Sequence, residues 1–129
     1  MTFTYPSSWR RDTSQEFQKY LTVTSTTPNL NQQSTIGAVS VNSVGKNPKR
    51  LDPTTWFNVE LSQNVESFTR VGLGKVRSYT TYTIIASELQ SMRHIYIFSG
   101  TKVIEVSYPN DQIQFTSTYN DIVNSIQIR

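Results

Sequence analysis

Cysteine is absent from all 129 residues, which excludes disulfides, thiolate nucleophiles and cysteine metal sites, and leaves the redox compartment open. The chain has one histidine, His94, and nine scattered acidic residues with no obvious pairing. Abundant Ser and Thr signify nothing without a base beside the nucleophile, so no catalytic residues and no cofactor are assigned, and the chain is read as non-enzymatic. Charge is sparse at 16%, with a net value of +3. Nucleic-acid binding calls for a denser Lys/Arg stripe, so no nucleic-acid partner is expected. No apolar run approaches the roughly 18 residues of a membrane span. No internal repeat or low-complexity tract is evident.

The length suits one domain over residues 1–129, too short for two separate cores. Only 36% of the residues are apolar, and Ser, Thr, Asn and Gln fill the gap, as in an antiparallel sheet with a polar surface. Thr2 to Tyr5 reads as a short strand, and Pro6-Ser7-Ser8 as a turn delivering Trp9 to the core. Met1 leads straight into that strand, which suggests a domain excised from a longer parent, extracytoplasmic or membrane-anchored through a missing N-terminal segment. Arg10 to Asp12 reads as a solvated corner. Glu16 to Ser25 alternates as a strand with Phe17, Leu21 and Val23 inward, Thr26 to Ser34 is a polar loop, and Thr35 to Val44 is the next strand, where Gly37 and Ala38 admit a close neighbour.

Gly45 to Arg50 is a basic turn. Asp52 and Pro53 then start a helix as N-cap and first residue, running to about Gln63 with Trp56, Phe57 and Leu61 on its apolar face. Asn64 to Arg70 is open between a helical turn and a loop. Val71-Gly72-Leu73-Gly74-Lys75 lacks the third glycine and the strand-to-helix context of a phosphate loop, so it reads as a tight turn or bulge before a strand over Val76 to Ala86.

Met92 to Ser99 and Lys102 to Tyr108 are β-branched and aromatic, joined by Ser99-Gly100 or Gly100-Thr101. With either turn, Ile95, Ile97, Ile104 and Val106 share a face. From about Gln112 the spacing becomes helical through Phe115, Tyr119, Ile122, Val123 and Ile126, with Asn110 or Asp111 as N-cap. Burying each large member of that stripe contributes about 1.5 to 3 kcal/mol. The expected class is α+β, an antiparallel β-sheet flanked by helices.

Phe3 to Trp9, Val71 to Val76, and Lys102 to Tyr108 followed by Tyr119 to Ile126 resemble the opening strand, glycine turn, and last strand with closing helix of the PsbP-like superfamily. That superfamily includes photosystem II extrinsic proteins, Mog-type Ran-binding proteins, and bacterial secreted proteins or lipoproteins. The resemblance implies an α/β/α sandwich without catalysis that acts by docking to a larger assembly. The expected partner is a protein, with membrane association only through a segment outside this chain.

Candidate binding residues are the basic Lys46, Lys49, Arg50, Lys75 and Arg77, which suit an acidic protein partner or an anionic lipid surface if the two turns lie together, against the plainer reading of solvated loop charges. Trp56 is a candidate anchor. Trp9 and Phe57 read as core. His94 and Glu105 share a sheet face, too few ligands for a tight metal site, and an ordinary sheet-face histidine is preferred. The alternative function is a small apolar-ligand carrier with a pocket lined by Tyr79, Tyr82, Tyr96 and Phe98.

Overall fold

A computed structural model describes residues 2–12, 21–25, 37–65, 67–87 and 90–128. Among these residues seven strands form one antiparallel sheet: β1 (Arg10–Asp12), β2 (Leu21–Thr24), β3 (Ala38–Lys46), β4 (Phe68–Val76), β5 (Tyr79–Ser87), β6 (Ser91–Ser99) and β7 (Lys102–Pro109), in the order β1-β2-β3-β7-β6-β5-β4. Helix α1 (Pro53–Glu60) follows β3, and α2 (Thr116–Asn124) follows β7. The class is α+β, as the sequence suggests.

The central hairpin sets the frame. Ser99 pairs with Lys102, so Gly100-Thr101 is the turn, with Gly100 at φ 59°. Ile95 lies opposite Val106 and Ile97 opposite Ile104, and all four are buried. They join Trp9, Val23, Val39, Val41 and the α2 residues Tyr119, Ile122 and Val123 in one cluster. Residues of opposite parity on the same strands, Tyr96, Phe98 and Val103, join Tyr82, Ile84 and the α1 residues Trp56 and Phe57 in a second. Alternation therefore gives each face of the sheet its own helix and its own apolar interior.

Helix α1 begins as expected. The Asp52 carboxylate accepts from the Thr55 backbone N–H at 3.1 Å and its hydroxyl at 2.6 Å, and Pro53 occupies the first turn. Those bonds, the hydroxyl's first, hold the Asp52 pKa below its usual value. The helix ends at Glu60 and a 3₁₀ turn covers Ser62–Asn64.

At α2 the expected cap is not used. A 3₁₀ turn, Ile113–Phe115, leads into the helix without a side-chain cap. Asn110 instead ties the end of β7 to β6: its N–H donates to Ser91 O at 2.9 Å, and its Oδ1 accepts from Arg93 Nε at 3.1 Å. Nine helical residues span only about 14 Å, so the segment after the helix completes the cover, with Ile126 buried.

Three further expectations change. Thr2 makes a single bridge to Gln127 rather than a strand, while Arg10 to Asp12, expected as a solvated corner, pairs with β2. Of the stretch 64–70, Asn64 ends the 3₁₀ turn and Phe68 starts β4, with residue 66 outside the described residues. The glycine stretch lies within β4, as a bulge between Arg70 and Gly72 with Gly72 at φ 105°, and the turn into β5 falls at Arg77-Ser78. Residues 76–86 are therefore no single strand. Arg77 adopts φ 55° without the Gly or Asn that would advertise it. The expected strand start at Glu16, with Phe17, and the loop over 26–34 lie outside the described residues.

Close approach at Gly37 is borne out. A Cβ there would sit 2.8 Å from Trp9 Cη2, and Trp9 packs edge-on against Phe115 and Tyr119. The Tyr119 hydroxyl receives the Ala38 N–H at 3.2 Å and donates to Gln112 Oε1.

Two outcomes follow from this packing. Ile122→Asp puts a carboxylate into a fully apolar cluster, which should cost several kcal/mol and abolish or sharply lower the circular-dichroism melt. An unchanged melt would refute the packing. Burial pushes the Tyr119 phenol up from 10.0 to about 12. The raised value favours the neutral form in the fold, so this contribution is intact below pH 10 and lost as pH rises through about 12. Tyr119→Phe should lower the urea midpoint at neutral pH yet flatten its decline over that alkaline window.

Candidate docking surface

Antiparallel pairing brings distant basic residues to one end of the sheet. β3 ends at Lys46, β7 starts at Lys102, β4 ends at Val76 and β5 starts at Tyr79, and the pairings β3·β7·β6·β5·β4 put these termini on the same side. Lys46, Lys49, Arg50, Lys75 and Arg77 thus share that end, all exposed. Lys102, which the sequence reading did not single out, joins them directly opposite Lys46. The pairing of β3 with β7 brings it there, and spacing within a segment does not signal that pairing.

The loop between β3 and α1 is closed from within. Buried Asn47 donates Nδ2 to Leu51 O at 2.8 Å and accepts the Leu51 N–H on Oδ1 at 2.9 Å. Its own N–H donates to Thr101 O at 2.7 Å, and its carbonyl accepts from Arg50 N at 3.0 Å. Lys49 and Arg50, the latter at φ 49°, therefore project from a hydrogen-bonded loop tied to the β6–β7 turn. Sequence reading treated Asn47 as a turn residue only.

Trp56 takes another role than the expected anchor. It is 2% exposed, its ring meets Phe98 edge-on at 5.3 Å, and its Nε1 donates to Lys46 O at 3.2 Å. A bulge between Ser43 and Gly45 lies beside it, where a Cβ on Gly45 would meet the indole at an ordinary contact distance of 3.4 Å. Trp56 is a core residue because the carbonyl it needs is presented where β3 ends.

His94 and Glu105 do share a face, with Nδ1 and Oε2 3.5 Å apart. Among the described residues no group of three or more His, Cys, Asp or Glu is placed to hold a metal. The four rings of the carrier reading do not assemble. Tyr82, Tyr96 and Phe98 pack with Trp56 and Phe57 under α1, whereas Tyr79 packs against the α2 cluster. Their numbers already differ in parity across β5, which places Tyr79 and Tyr82 on opposite faces.

Arg70 is a further feature that sequence reading passed over. Its guanidinium lies over the Phe57 ring at 5.3 Å and the Phe68 ring at 5.4 Å, and donates to the Tyr82 hydroxyl at 2.7 Å. An exposed cation is thus fixed on β4 by aromatic faces.

A scan of protein-family models returns no match to this chain, and a search of curated proteins returns none.

Trp56→Ala should cost about 3 to 5 kcal/mol, read as a lower urea midpoint. A variant as stable as the parent would return Trp56 to the surface.

Proposed function

We propose that this chain is a non-catalytic interaction domain that docks onto an acidic surface of a larger protein assembly through the cationic end of its sheet. The supporting observation is the loop closed by Asn47, which fixes Lys49 and Arg50 beside Lys46 and Lys102. A field of one sign speeds encounter and selects partners more than it adds affinity.

The antiparallel sheet with α1 and α2 on opposite faces supports the finer reading of an α/β/α sandwich of PsbP and Mog type. The docking role implied by the resemblance to that superfamily agrees with this surface.

The test uses the full chain as bait in an extract of its source cells, treated with nuclease, beside the double variant Lys49→Glu with Arg50→Glu. An acidic protein should be retained by the parent, released by added salt, and recovered about tenfold less with the variant, at a nearly unchanged melting temperature. Equal recovery by both baits would overturn the reading.

A further inference from the structure

Among the described residues the sheet has two open edges, and they differ. β1 is three residues long and carries Arg10 and Arg11, the short, charged kind of edge that resists pairing. β4 is nine residues long, with Val71 53% and Leu73 67% exposed. Nothing pairs with its outer side among the described residues. The bulge between Arg70 and Gly72 limits the regular part to Leu73–Val76. There, Arg77-Ser78 closes a two-residue turn on the Val76–Tyr79 pair. In such a hairpin the closing pair exchanges hydrogen bonds, so alternation aims the main-chain groups of Lys75 and Leu73 outward.

The side chains along this edge form a pattern. Leu73 and Lys75 oppose Tyr82 and Thr80, and Arg70 opposes Ile84, so all three lie on the α1 face. Leu73 borders an open, almost wholly apolar recess of about 440 Å³ lined with Pro53, Gly74, Lys75 and Thr80. One apolar position therefore stands between two cations on a single face of an edge strand.

We propose that the β4 edge takes an extended segment of an acidic protein partner as an added strand. The segment has the form acid–x–apolar–x–acid, its apolar side chain in the recess beside Leu73 and its carboxylates facing Arg70 and Lys75. Main-chain bonds supply attachment, and the recess and cations supply selection. A second copy of this chain is disfavoured, since edge-to-edge pairing would crowd the cations Arg70, Lys75 and Arg77 of both copies along one short ladder. The proposal rests on the docking reading above and specifies the contact.

The probe is the synthetic peptide acetyl-Thr-Glu-Thr-Leu-Thr-Glu-Thr-amide, titrated to millimolar concentration into the ¹⁵N-labelled full chain and followed by amide chemical shifts. Saturable shifts should centre on Leu73 to Val76. The same peptide N-methylated at alternate residues keeps its charges but cannot extend the ladder, and should lose about tenfold or more in affinity, as should the parent peptide against Lys75→Glu. Leu73→Asp, a surface change that leaves the melt intact, should do the same. No saturable shift at these four residues overturns the proposal, as does equal binding of the N-methylated peptide. Concentration-dependent shifts there in the chain alone would give the edge to a second copy and also overturn it. If the edge fails while Lys49→Glu with Arg50→Glu still releases the acidic partner, docking stands and only this contact falls. If the double variant fails too, the docking reading falls with it.

Discussion

Residues on β6 and β7 have to serve two apolar interiors, because the hairpin lies at the middle of the sheet and a helix packs on either side. The pleat makes this possible. Ile95, Ile97, Ile104 and Val106 point one way, and Tyr96, Phe98 and Val103 the other. A slip of one residue would exchange the two sets, sending the rings that pack under α1 into the space under α2. The register of this one pair of strands therefore fixes both interiors together, and the glycine at φ 59° in its turn helps to hold that register.

Departures from regular geometry gather around the basic end. The β3 bulge lies beside the indole of Trp56, whose N–H meets the Lys46 carbonyl. Asn47 then uses main-chain and side-chain groups alike to close the loop that follows. A buried amide satisfied on all these sides resists displacement, since breaking any one bond strands a polar group in the interior. The charges at this end ride on a neutral framework, so their chemistry and the fold's stability are largely separable.

How much of this could be read in advance depended on whether the signal was local. The β6–β7 hairpin, the Asp52 cap and the helical stripe from Tyr119 to Ile126 announce themselves through spacing, because periodicity and capping act within a few residues. The β4–β5 turn did not, because Arg77 takes a left-handed conformation that its side chain does not favour and the neighbouring pairing imposes. Asn110 looked like a cap but is drawn off by Arg93, and Trp56 looked like an anchor but has a carbonyl waiting for it in the core. The five basic residues were visible singly. Their meeting at one end, with Lys102 among them, depends on strand order, which spacing within a segment does not encode.

One feature of the closure reaches beyond stability. Thr2 and Gln127 exchange both main-chain hydrogen bonds at 2.9 Å, and Ile128 donates to the Tyr79 hydroxyl at 3.0 Å. The two ends of the described chain thus leave from one spot, next to the turn that holds Arg77. Tension applied between them would first load these few bonds, with those between Thr4 and Ser125, and peel the ends apart before it reached the pairing of the central hairpin.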